Sequence, residues 1–437
     1  MTTPPSVRNV FLLGTAQTLA WASTYYLPAV LAAAMAKDTG VDTPTVFAAF
    51  TMALLVSAAV GPWAGRAIDR RGGRPVLAGT SLVFATALVL LARAEDGWGL
   101  FLAWAVMGIG MGSGLYEAGF ATLVRLHGQQ ARSSITGITL LAGFASTVGW
   151  PLSAWMESQW GWRGACLGWA AMHIVVGLPL NLLLPKALPL GASAGAEPAT
   201  PPSDTGLADS DRAAATIAAS RADNGPPGGH PAAADAQGTP APDRGLRTVL
   251  LLSFVFSGSL FVSTALASHL PQLLMASGVS LAAAVALGGL IGPAQVAARV
   301  LEFGVLQKLH PLLSGRIASA LHPLGVAVLL AFGAPGAAAF CLLHGAGNGI
   351  LTIAKGTMTL AIFGAQGYGQ RQGLLLVPAR IAQALAPWLF GLALARWGLG
   401  SLYLSAAVGV AMVGALMMLR ATPADADADA HSQVSGK

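Results

Sequence analysis

Glu117, Lys355 and Arg380 are ionisable side chains set inside long apolar stretches of this 437-residue sequence. A charge in such surroundings is costly, so each needs a partner or a water-filled cavity. The chemistry open to them is recognition and charge compensation. A guanidinium stays charged and grips a carboxylate through two parallel hydrogen bonds. Arg380, with Gln383 one turn away, is therefore the candidate anion-binding residue. A carboxylate that alternates between an apolar setting and a neighbouring cation exchanges its proton. Glu117 is thus the candidate proton carrier, with Lys355 facing it across a cavity. The alternatives are a permanent Glu117–Lys355 structural pair, and an Arg380 that snorkels to the membrane surface.

Polar residues extend this set. His344, Asn348, Thr352, Lys355 and Thr359 recur at helical spacing and fall within an arc of about 80°. Such a stripe lines a cavity or bonds to a neighbouring helix. Gln17, Trp21, Thr24 and Pro28 share another face, flanked by Tyr25. Ser253, Ser257, Thr264, Ser268 and Pro271 share a third, and His269 lies about 100° from Ser268. These faces are candidate cavity walls. His173 and His322 stand alone in apolar runs and read as packed. There is no phosphate-cradling loop and no paired-histidine zinc pattern. Cys166 and Cys341 lie in apolar runs and read as buried core residues. No enzyme activity, cofactor or metal is expected.

The elements that hold these residues follow from composition. The chain is 54% hydrophobic and only 10% charged, where a soluble protein is about a quarter charged. A helix crosses a bilayer with about 20 apolar residues. Twelve runs satisfy that rule: 10–35, 44–64, 76–94, 98–124, 134–156, 163–185, 248–274, 280–300, 316–333, 336–362, 373–395 and 400–420. The first is too long for a signal peptide, whose apolar region is about 7–15 residues, and reads as a span. Residues 186–247 and 421–437 are rich in Ala, Pro, Gly and Asp and read as a disordered linker and tail. The expected domains are 1–185, the linker 186–247, 248–420 and the tail. Lys and Arg exceed Asp and Glu by 24 to 18. Arg66, Arg70, Arg71, Arg74, Arg125, Arg132, Lys186, Arg299, Lys308, Arg316 and Arg371 gather in loops on one side. The positive-inside rule makes that side cytoplasmic, with both termini and the linker. Basic charge is thereby assigned to topology, and no nucleic-acid partner is expected. Trp150, Trp155, Trp160 and Trp162 read as an aromatic belt at the outer surface.

The two halves repeat. Pro28 and Pro271, Gly61-Pro62 and Gly292-Pro293, Gly110-x-Gly112-x-Gly114 and Gly345-x-Gly347-x-Gly349, and Pro151 and Pro387 match in order at offsets of 231 to 243. The loop after span two reads Gly65-Arg66-Ala67-Ile68-Asp69-Arg70-Arg71-Gly72-Gly73-Arg74. It resembles the loop signature of the major facilitator superfamily. Gly65, Asp69, Arg70, Gly72 and Arg74 match, while Gly73 replaces a basic residue. The resemblance implies twelve helices in two pseudo-symmetric six-helix bundles, an all-α membrane fold. It implies that the loop helps to hold the halves together, with Asp69 near the start of span eleven. It also implies that Arg70 or Arg74 meets an acidic or carbonyl partner. Gly143, Gly149, Pro151 and Gly161-Trp162-Arg163 resemble the organic-anion branch that includes monocarboxylate and oxalate/formate carriers. Trp104 or Ala105 stands where proton-linked drug exporters carry a basic residue.

The expected function is secondary transport of a small organic anion, coupled to protons, by alternating access in the inner membrane. The partners would be that small molecule, protons and the lipid bilayer, with the protein working as a monomer. One alternative is efflux of a drug-like or metalloid toxicant. Another is a non-transporting membrane sensor on the same fold.

Overall fold

Each apolar run carries helix in the computed structural model, which describes residues 7–186, 244–306 and 309–419. The expected linker over 187–243 and the expected tail 421–437 lie outside the described residues. The first half comprises α1 (Val7–Ser23), α2 (Pro28–Thr39), α3 (Thr43–Arg71), α4 (Gly73–Ala92), α5 (Gly97–Gly114), α6 (Tyr116–His127), α7 (Ala131–Ala142), α8 (Ala145–Met172) and α9 (Leu178–Leu182). A π-helical turn, His173–Gly177, joins α8 to α9. The second half comprises α10 (Arg244–Ala276), α11 (Leu281–Gly288), α12 (Ile291–Gly304), α13 (Pro311–Phe332), α14 (Ala337–Phe363), α15 (Tyr368–Trp397) and α16 (Ser401–Met417).

Among the described residues, nine helical stretches are long and apolar enough to cross a membrane, and two of them run for 86 and 50 residues. At 1.5 Å per residue these two would overrun a hydrocarbon core of about 30 Å. They turn instead at Gly128 (φ 58°), Gly161 (φ 70°) and Gly398 (φ 54°). Those turns yield three crossings and two, in keeping with the twelve runs.

Spans one and four break beside the charged residues, and spans five and eight also part, at Gly143–Phe144 and Gly289–Leu290. Span one breaks at Thr24–Leu27, between α1 and α2, where Pro28 opens the second piece. Span four breaks at Leu115, whose backbone is extended (φ −83°, ψ −163°). Glu117 therefore lies in the first turn of a new helix, α6, where helix polarity favours a carboxylate. Their repeat partners, α10 and α14, run through without a break. Broken helices at mid-membrane depth mark binding sites in transport folds.

Small residues set the helix spacing. A Cβ on Gly108 would lie 2.5 Å from Ala53 O, and one on Gly112 2.7 Å from Ser57 O, both on α3. In the second half, Gly345 and Gly349 approach Ile291 O and Gln295 O on α12 at 2.8 and 2.5 Å in the same way. Lipid gives helices no hydrophobic drive to associate, so close approach and van der Waals contact must supply it. The repeated glycine motif thus does one job in both halves.

The halves meet along α3 against α15 and α7 against α12. A Cβ on Gly65 would lie 2.0 Å from Gly369 O, and one on Gly373 2.7 Å from Gly61 O. Four glycines therefore let α3 and α15 touch backbone to backbone.

Candidate functional site

The buried charges converge where the broken helices meet the second half. Arg380 is only 6% exposed. Its Nη2 donates to Glu117 Oε1 at 2.9 Å. Its Nη1 donates to Gln383 Oε1 at 2.9 Å. Gln383 Nε2 in turn donates to Tyr25 Oη at 3.2 Å. Tyr25 sits in the break of span one, and Glu117 just beyond the break of span four. One connected polar chain therefore joins both breaks to α15.

The ion-pair partner of Glu117 is Arg380, not the Lys355 expected from its place on the repeat-partner span. Lys355 is half-buried on α14 and near enough to feel the charges of Glu117, Arg380 and Arg299. Arg299 is the residue that sequence reasoning missed. It was expected in a loop, as a topology anchor. Instead α12 continues to Gly304 and buries Arg299 to 6% exposure. Its Nη1 donates to Thr139 O at 3.1 Å across the two halves, and Tyr116 lies near it. Three cations and one carboxylate thus share a buried region between the halves.

Two latches close one membrane face. Asp69 Oδ1 accepts from Gly369 N at 2.9 Å, and Oδ2 from Gln370 N at 2.8 Å. A carboxylate capping the first turn of α15 satisfies two otherwise unpaired donors and complements the helix dipole. Arg125 Nε donates to Asp69 O at 3.1 Å, whereas Arg70 is exposed and Arg74 half-buried. The carbonyl partner implied for Arg70 or Arg74 is therefore held by Arg125. Gly72 turns the loop with φ 82°, a conformation suited to glycine. Gly73 stands where the signature is basic because a Cβ there would already lie 2.0 Å from Thr122 Oγ1. In the second latch, Arg132 on α7 meets Glu302 on α12 at 3.4 Å and donates to Leu309 O at 2.7 Å.

The sequence profile described as Major Facilitator Superfamily matches residues 13–354, most of the chain. The chain belongs to the major facilitator superfamily. No curated protein matches it significantly. Solved structures resemble it throughout. The human organic anion transporter MFSD10 aligns at 17% identity and TM-score 0.66, covering 95% of this chain and 100% of its own. The E. coli fucose:proton symporter FucP in the outward conformation aligns at 11% identity and TM-score 0.67, covering 94% and 99%. The proton:xylose symporter XylE aligns at 12% identity and TM-score 0.62, covering 92% and 94%. At these identities the likeness is one of fold. The protein is an integral membrane solute transporter of the superfamily, with its charges gathered between the two halves.

Several residues expected on cavity walls lie elsewhere in this superfamily fold. Gln17 is buried inside the first half, where Nε2 donates to Gly114 O at 2.7 Å. Thr24 is fully buried and its hydroxyl returns to Ala20 O at 2.7 Å. His344 turns into the second half, its Nδ1 3.2 Å from His322 Nδ1. With Asn348, Ser259 and Ser319 it lines a void among α10, α13, α14 and α16. Thr352 bonds back to Asn348 O at 2.8 Å. The stripe on α14 therefore divides: its upper members serve helix contact, and Lys355 serves the charged site. Ser268 is exposed, and His269 Nε2 lies 2.8 Å from Pro387 O. Trp162 leaves the expected belt, being buried with its Nε1 donating to Asp38 Oδ2 at 2.8 Å. Trp21 remains beside Tyr25, its ring centroid 5.3 Å away.

Proposed function

We propose that the protein is a secondary active transporter that moves a small organic anion together with protons by alternating access. The sign of the inter-half site carries this reading: Arg299, Lys355 and Arg380 outnumber Glu117. A buried excess of positive charge is costly until an anion enters. Arg380 gives Nη2 to Glu117 and Nη1 to Gln383. An incoming carboxylate competes for that guanidinium and is further favoured by Lys355. Glu117, deprived of its partner in a low-dielectric setting, then takes a proton. One anion and one proton would cross together with no net charge moved.

The broken spans and the two latches supply the motion. The halves, 1–185 and 248–420, rock about the site as two domains joined by the 186–247 linker. The positive-inside rule makes the latched face cytoplasmic, so this conformation opens outward, with both termini inside the inner membrane. The fold neighbours named as an organic anion transporter and as proton symporters support the reading. The protein would work as a monomer.

Glu117→Gln in proteoliposomes tests the coupling. The variant keeps its fold and still exchanges internal for external anion, but no longer accumulates anion when a pH gradient is imposed. Accumulation equal to that of the native protein would sink the proton role of Glu117.

A further inference from the structure

We propose that the transported anion carries an aromatic ring, so that the substrate class is aromatic monocarboxylates. This rests on the anion reading above and deepens it.

The cations of the site all come from the second half: Arg299 on α12, Lys355 on α14 and Arg380 on α15. Facing them, the first half presents a continuous row of rings. Trp104 meets Phe50 at 5.3 Å between centroids, Phe50 meets Tyr25 at 5.6 Å, and Tyr25 meets Trp21 at 5.3 Å. Trp21 meets Tyr116 at 4.8 Å, and Tyr116 stacks on Phe120 at 5.5 Å. A branch runs from Tyr25 through Tyr26 to Trp150 at 5.5 and 6.0 Å.

The row comes near the cations at three places. Tyr25 reaches Arg380 through Gln383. Tyr116 lies beside Arg299. Phe120 packs on Gly356, next to Lys355, so closely that a Cβ there would be 2.8 Å from its ring. A ligand with a charged end and a flat apolar body would satisfy both walls at once.

Phe120 is buried and explained by core packing, and Trp104 is buried too, although its Nε1 has no hydrogen-bond partner among the described residues. Core packing does not explain the middle of the row. Trp21, Tyr25, Tyr26 and Phe50 are only half-buried, and Trp150 is 46% exposed. The Trp21 Nε1 is enclosed and has no hydrogen-bond partner among the described residues. A buried indole N–H normally finds an acceptor, and a bound carboxylate would provide one. Ala29, Val30, Thr147, Trp150, Pro151 and Ala154 form a shallow, open apolar surface at the Trp150 end. Aromatic faces prefer offset or edge contacts with another ring, a preference that a saturated ring of equal size does not share.

Thermal unfolding of the full chain in detergent micelles tests this with benzoate, cyclohexanecarboxylate and acetate as probes. A ligand that binds the native state raises the midpoint according to its concentration relative to Kd. Benzoate is expected to half-saturate the shift at a concentration at least about tenfold below acetate, with cyclohexanecarboxylate between them. Trp21→Leu is expected to bring benzoate and cyclohexanecarboxylate together. If acetate equals benzoate, or cyclohexanecarboxylate equals benzoate in the native protein, the aromatic assignment falls and the anion reading stands. If no carboxylate shifts the midpoint while neutral sugars do, both fall.

Discussion

Arg380 holds two acceptors at once, Glu117 and Gln383, and in the proposed cycle a substrate carboxylate displaces the first. A lysine could neutralise Glu117 but could not also hold Gln383 in the same plane. The residue types at this site were legible in the sequence, because a charge inside an apolar run demands a reason. Which of them pair was not. Glu117 and Lys355 were paired because both lie in the inner halves of repeat-partner spans, and that reasoning left out Arg380 on span eleven, which takes the carboxylate. Arg299 was hidden for a simpler reason: an arginine at the edge of an apolar run reads as a loop anchor, and only four further residues of α12 bury it.

At the opposite face from the latches, Asp38 shows a residue whose effect on stability has a definite sign. Its carboxylate accepts from Trp162 and, at 2.7 Å, from Arg163, which also reaches Ala94 O. The Trp162 hydrogen bond first, and Arg163 after it, hold the Asp38 carboxyl below its ordinary value of 3.8. A depressed carboxyl stabilises the fold above that ordinary value and ceases to do so as pH falls through the depressed one. Asp38→Asn should therefore lower the thermal midpoint at pH 7, with the gap to the native protein closing below about pH 4. A gap of the same size at pH 3 and pH 7 would show that the carboxylate charge does not matter.

Among the elements, α3 and α15 form the tightest joint between the halves. Gly65, Gly369 and Gly373 have no room for a methyl group, and Gly61 supplies the backbone that Gly373 abuts. The obstructing atoms are backbone, which cannot rotate aside. Gly65→Ala should cost about 1–3 kcal/mol of stability, the usual range for overpacking. It should also part the latch, because Asp69 lies one turn further along α3. Labelling of a cysteine placed at Gln370 would report this as faster modification than in the parent cysteine variant. Unchanged labelling and an unchanged thermal midpoint would contradict the close joint. The twelve runs and the pairing of their glycine motifs were readable from hydropathy and offset alone. The breaks at Thr24–Leu27 and Leu115 were signalled only in part: Pro28 and Gly114 flank them, but Pro62 and Pro271 lie inside helices that continue, so such residues permit a break without fixing it.

At the charged site the first half brings the carboxylate Glu117 and the second half Arg299, Lys355 and Arg380, so the Glu117–Arg380 pair also links the halves. Opening the latched face would break Asp69 from the start of α15 and Arg132 from Glu302. An anion that draws Arg380 away from Glu117 removes a third link between the halves at the same time. In the proposed cycle, substrate binding would thus favour rocking of the halves.

The central claim is that an anion binds at Arg380 and crosses with a proton. Uptake of labelled benzoate into proteoliposomes under an acid-outside gradient, compared between the native protein and Arg380→Ala, tests it most directly. The account predicts accumulation by the native protein that collapses with a protonophore, and a loss of at least about tenfold in Arg380→Ala, the factor expected for about 1.4 kcal/mol of binding. Accumulation by Arg380→Ala equal to that of the native protein would contradict it.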